Sequence, residues 1–174
     1  MRVFGLAGWS GSGKTTLLMN LIPALTASGL TVSTVKHAHH DFDVDQPGKD
    51  SWRHRQQGAV EVMVASSRRW ALMHEHRGAA EPSLTALLRH MTPVDLLLVE
   101  GFKWEAIPKL EVHRPSLGKP LLCGDDPNII ALAADAKLPG IDLPQFALDD
   151  VAGVARFIID HCRLEPILHG TAER

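Results

Sequence analysis

One short motif constrains this chain more than anything else in it: Gly8, four intervening residues, then Gly13-Lys14-Thr15. The pattern G-x-x-x-x-G-K-[ST] follows an apolar run at 2–8. It opens a stretch whose apolar residues, Leu17, Leu18, Leu21, Ile22 and Leu25, recur at helical spacing. Strand, glycine-rich loop and helix in that order make a phosphate-gripping P-loop. Glycines let the backbone turn so that successive N–H groups point inward, and the helix N-terminus adds partial positive charge. On this reading Gly8, Ser10, Gly11, Ser12, Gly13, Lys14, Thr15 and Thr16 hold the phosphates. Lys14 supplies the charge for the β- and γ-phosphates, and the Thr15 hydroxyl reaches Mg2+.

The rest of the chain alternates strand-like and helix-like patterns, which predicts an α/β P-loop NTPase with an open, mainly parallel sheet flanked by helices. At 174 residues, a single domain over 1–174 is expected. The first helix should run from Lys14 to about residue 28, but Pro23 inside it predicts a kink there or an end near Ile22. Residues 30–37 read as a strand, and 51–59 as a helix capped by Asp50 or Ser51. Residues 60–76 read as a β-hairpin turning at 66–69, foreign to strict alternation, with its second half expected at a sheet edge. A helix at 83–91, a very apolar central strand at 94–102, strands at 109–115 and 128–135, and an amphipathic helix at 149–162 complete the pattern.

Composition removes several classes of function. A net charge of -2 argues against nucleic-acid binding, which favours a basic face. No apolar run approaches the ~20 residues that span a bilayer. Cys123 and Cys162 stand far apart without a CxxC, so neither zinc nor a redox pair is suggested, and cytoplasm is the default compartment.

A P-loop enzyme also needs a carboxylate near its metal, at the C-terminal end of a neighbouring strand. The segment DLLLVEG offers Asp95 and Glu100. At about 3.3 Å per residue these lie roughly 16 Å apart, with Asp95 at the wrong end. Glu100 is therefore the metal candidate, and Gly101 after it lets backbone approach the terminal phosphate. A third cluster follows the second strand: Lys36, His37, His39, His40, Asp41, Asp43, Asp45, Lys49 and Asp50. Its spacing fits no compact zinc motif. Asp43 and Asp45 are the candidates for ordering the Mg2+ shell or the attacking water. Residues two apart share a face when extended, so spacing does not choose between them.

Four stretches, AGWSGSGKTTLLMNLIPAL, KHAHHDFDVDQPGKDSWRHRQQGA, VASSRRWALMHE and DLLLVEGFK, together resemble the molybdopterin-guanine dinucleotide biosynthesis protein B family (MobB). The first is generic to NTPases; the histidine–aspartate run and EGFK in the same order are specific. The resemblance extends to about Lys103 and continues more loosely through IIALAAD and the last helix. It implies a homodimer that binds GTP, hydrolyses it weakly and assists the guanylyltransferase that converts molybdopterin to the guanine dinucleotide form of the molybdenum cofactor. Whether molybdopterin itself binds stays open. By position it implies phosphate binding at residues 8–16 and metal at Thr15 and Glu100. The chain lacks an Asn-Lys-x-Asp guanine reader, so guanine rests on the resemblance, with Asp135 a candidate base-facing carboxylate.

The competing reading is a small-molecule P-loop kinase, which needs an arginine-rich lid. Arg53, Arg55, Arg68, Arg69 and Arg114 are present but form no compact insertion. A scaffold that has lost its chemistry would not need Lys14, Thr15 and Glu100 together.

Overall fold

The computed structural model describes residues 1–38 and 42–165, and His39, His40 and Asp41 of the polar loop lie outside that range. In chain order the elements are β1 (Arg2–Ala7), α1 (Lys14–Ala27), β2 (Val32–Lys36), α2 (Asp50–Gln56), β3 (Glu61–Ala65), β4 (Trp70–His74), α3 (Leu84–Leu88), β5 (Leu96–Glu100), β6 (Lys109–His113), a 3-10 turn (Pro115–Leu117), β7 (Ile129–Ala134), β8 (Gln145–Ala147) and α4 (Val151–Cys162). They fall into two compact units, one of residues 1–37 with the chain from Thr92 onward, the other of residues 38–91.

The first unit is a six-stranded sheet in the order β2-β5-β1-β6-β7-β8, with every pairing parallel. The chain leaves β1 to one side for β2 and β5 and to the other for β6, β7 and β8. That reversal opens a crevice beyond the C-terminal end of β1, where α/β sheets hold ligands. Alternation along the strands sends Phe4, Leu6, Leu98, Leu110 and Val112 to one face. There they pack with Leu17, Leu21 and Leu25 of α1 and Val154 and Ile158 of α4. Truncating the fully buried Leu21 to Ala would cost about 2–5 kcal/mol.

Residues 109, 111 and 113 of β6 alternate with that apolar set. Lys109, Glu111 and His113 are nevertheless buried, and Lys109 is fully so. The Lys109 ammonium pairs with Asp126 at 2.5 Å and donates to the carbonyls of Lys103 and Glu105. Burial pushes the Asp126 carboxyl up, but Lys109 and the amides of Asn128 outweigh it and hold it below the usual range. Glu111 accepts from the backbone N–H groups of Leu122 and Cys123. Charged residues inside the sheet thus pin the loops at 101–108 and 118–126.

The second unit is smaller. β3 and β4 pair antiparallel in a two-stranded sheet of their own, with Val62 opposite Met73 and Ala65 opposite Trp70. The hairpin expected at 60–76 is present, but its second strand is not an edge of the parallel sheet.

Other expectations need correction. α1 runs through Pro23 to Ala27, so it does not end near Ile22. Leu21 and Leu25 are both fully buried and hold the helix across the proline, and Thr26 Oγ1 donates to the carbonyls of Ile22 and Pro23. α2 has Lys49 at its N-cap, with no side-chain bond there. Asp50 lies in its first turn, Ser51 donates instead to Asp45, and the helix stops at Gln56 rather than residue 59. The strand β8 escapes a sequence reading because it has only three residues.

Candidate nucleotide site

Gly8 ends β1 with φ at +142°, and a Cβ there would collide with the Val112 carbonyl of β6 and lie 2.8 Å from Ser12 Oγ. Only glycine fits, because the loop must turn directly against the neighbouring strand. Ser12 is buried beneath the turn, whereas Ser10, Gly11 and Thr16 are exposed along its rim. Lys14 bends back so that its ammonium donates to the carbonyls of Gly8 and Trp9, both at 2.9 Å. Burial pushes the Lys14 ammonium below its ordinary range. Glu100 opposes that shift, while Lys103 and Lys36 add to it.

The strand register puts Glu100 opposite both Leu6 of β1 and Lys36 of β2, at the C-terminal end of the sheet. Thr15 Oγ1 donates to Glu100 Oε1 at 2.5 Å, and Lys36 Nζ lies 3.9 Å from Glu100 Oε2. A hydroxyl and a carboxylate side by side at the head of α1 are hard oxygen donors of the kind Mg2+ takes. Asp95 stands before the start of β5, where it accepts from the backbone N–H and hydroxyl of Thr31. These bonds hold its carboxyl below the usual range. Of the two acids, Glu100 is the one beside the P-loop and Asp95 lies at the opposite end of the strand.

The chain reverses sharply after Glu100. Gly101 has φ at +93° and a Cβ there would lie 2.8 Å from that of His37. Phe102 follows at φ +48° and stacks on the His37 ring with centroids 4.4 Å apart. A bulky residue in the left-handed region costs about 1–3 kcal/mol, so this turn is held by its surroundings. The close packing of His37 explains the glycine at 101 without reference to phosphate.

Asp135, just past β7, is tied to the phosphate loop through an arginine. Arg114 Nη1 lies 3.2 Å from Asp135 Oδ2, and its Nε donates to the Ser12 carbonyl. Sequence reasoning names Arg114 only as one of several arginines, because nothing local says that β6 lies next to β1. Trp9, inside the loop, donates its indole N–H to the Pro120 carbonyl and carries the Lys103 ammonium 3.9 Å from its ring centroid. Neither contact has a sequence signal.

Asp43 and Asp45 belong to the second unit, where both grip Arg55. Asp43 accepts from Nη2 at 2.7 and 2.9 Å, Asp45 from Nε at 3.2 Å, and Glu75 takes Nη1 at 2.7 Å. The Arg55 hydrogen bonds hold Asp43 below the carboxylate range and raise Arg55 itself. Asp45 is also committed to Ser51 and to the Gln46 amide. Among the described residues no cluster of histidine, cysteine, aspartate or glutamate is placed to hold a metal ion, and no helix is long and apolar enough to cross a membrane.

Residues 3–135 match the family described as Molybdopterin guanine dinucleotide synthesis protein B. The chain is 45% identical over 161 residues to the molybdopterin-guanine dinucleotide biosynthesis adapter protein of Escherichia coli (strain K12), with 91% of each chain covered. It is 42% identical over 156 residues to the protein of that name from Haemophilus influenzae, covering 90% of this chain and 86% of that one. A crystal structure of molybdopterin-guanine biosynthesis protein B superposes with a TM-score of 0.71 at 28% identity, over 92% of this chain and 99% of that one. A family match over most of the chain and a relative 45% identical across 91% of it show that this chain belongs to the MobB family.

Proposed function

We propose that this chain is a GTP-binding, weakly hydrolysing adapter for the guanylyltransferase that attaches GMP to molybdopterin. The Thr15–Glu100 pair beside Lys14 carries the reading, because it sets a metal-binding oxygen pair next to the phosphate loop. Lys14 turns from the Gly8 and Trp9 carbonyls to the β- and γ-phosphates, and backbone N–H groups of residues 8–16 orient them. Bound Mg2+ would supply charge neutralisation between the phosphates, held through Thr15 and Glu100. Asp135, steadied by Arg114, faces the base. Of the two acids on Arg55, Asp43 is the more exposed, at 43% against 8% for Asp45.

The relatives' printed name, adapter protein, supports action beside a partner enzyme. We further propose a homodimer built on the β3–β4 hairpin, whose Met63, Trp70 and Leu72 are exposed. An unpaired strand edge with such residues favours pairing with a second copy. Affinity for GTP against ATP with Mg2+, followed by phosphate release from purified protein, tests the reading. Slow, acceptor-independent release with GTP preferred supports it; ADP formation that needs an acceptor would establish a kinase instead.

A further inference from the structure

We propose that Lys103 is a phosphate-binding residue that leaves the face of Trp9 for the terminal phosphate of a bound nucleoside triphosphate. The inference rests on the nucleotide-site reading above and extends it to a residue outside the P-loop and its acid. The Lys103 ammonium lies over the indole of Trp9, a residue of the phosphate loop itself, 3.9 Å from the ring centroid. Among the described residues it has no carboxylate partner. A cation resting on an aromatic face is weakly held, whereas a charge-assisted bond to phosphate is stronger, so the exchange is downhill when phosphate arrives.

Three features aim this lysine. The left-handed backbone at Gly101 and Phe102 folds the chain back immediately after Glu100. The buried Lys109 donates to the Lys103 and Glu105 carbonyls and is anchored in turn by Asp126, which fixes the backbone from which Lys103 projects. Trp9 is held at its other end by the bond to Pro120 and takes a second, more distant ammonium from Lys119, 5.8 Å from the ring. A solvated surface lysine would need none of this. Its field already reaches Lys14, the cation assigned to the phosphates.

Lys103→Met and Lys103→Arg, titrated with a slowly hydrolysed GTP analogue and with GDP in the presence of Mg2+, test the proposal. Loss of one charge-assisted contact predicts about 10- to 100-fold weaker triphosphate binding in Lys103→Met. GDP affinity and the melting temperature should hold, and Lys103→Arg should restore most of the loss. Trp9 gives an independent readout: analogue binding should change wild-type tryptophan emission, and Trp9→Phe and Lys103→Met should each abolish that change. Equal losses for GDP and the analogue would show a merely structural lysine and overturn the proposal. So would unchanged analogue affinity in Lys103→Met while wild type binds. A wild type that binds neither nucleotide would instead overturn the site reading itself.

Discussion

Every residue of β5 and β6 is buried, whereas β4 has no buried residue and β3 has only Val62. Both regions are rich in charged groups, but they use them differently. The parallel sheet buries Lys109 and Glu111 and spends them on the loops around the phosphate site. The 38–91 unit gathers Asp43, Asp45 and Glu75 on the single guanidinium of Arg55; Arg55 and Asp45 are largely covered, whereas Asp43 and Glu75 stay partly exposed. A fully buried pair leaves its partner in a low dielectric when broken, and a cluster whose outer acids reach solvent loses less. The site scaffold should therefore be brittle to charge removal and the hairpin unit tolerant of it.

Lys109→Met tests the brittle side and should have the largest effect. It leaves Asp126 buried without its cation, which predicts about 3–5 kcal/mol of lost stability in denaturant unfolding. A loss near zero would show that water reaches the pair. Glu100→Gln should come next: stability nearly unchanged, with Mg2+-dependent phosphate release lowered about 100-fold, the size of losing one preorganised charge. Asp95→Asn, at the opposite end of the same strand, should leave release within about twofold, and a reversal of the two would invert the strand direction assigned here.

On the tolerant side, Trp70→Asp with Leu72→Lys should turn a dimer into a folded monomer by light scattering. A monomeric wild type defeats the hairpin interface, and a variant still dimeric places the interface elsewhere. Arg55→Met should raise amide exchange within 38–91 and leave β1, β5 and β6 protected.

The smallest effect is acid sensitivity. Asp43 has a folded pKa below its ordinary 3.8, so its contribution is present above that value and fades as pH falls through the lowered one. Hydrogen exchange followed from pH 7 downward should thus show no loosening of 38–91 until below about 3.8. Loosening near pH 6 would implicate histidines instead.

Much of the site was legible because its signals are local. A P-loop has fixed spacing, and Glu100 separates from Asp95 by strand length alone. What stayed hidden depends on strand order. Arg114 reaches Ser12 only because β6 lies beside β1, and Lys109 is buried although lysine ordinarily reads as surface. Pro23 misled in the other direction, since tertiary packing of Leu21 and Leu25 overrides a local helix breaker. Asp43 and Asp45 read as metal or water ligands from composition, and their grip on Arg55 became visible only with α2 in place.

The central claim is that Lys14, Thr15 and Glu100 form a magnesium nucleoside-triphosphate site. Calorimetric titration of GTP into wild type and Lys14→Ala, with Mg2+ and with chelator, tests it most directly. The account predicts Mg2+-dependent binding by wild type and about 10- to 100-fold weaker binding by the variant, with an unchanged melting temperature. Equal affinity in the two proteins, or wild-type binding indifferent to Mg2+, would contradict it.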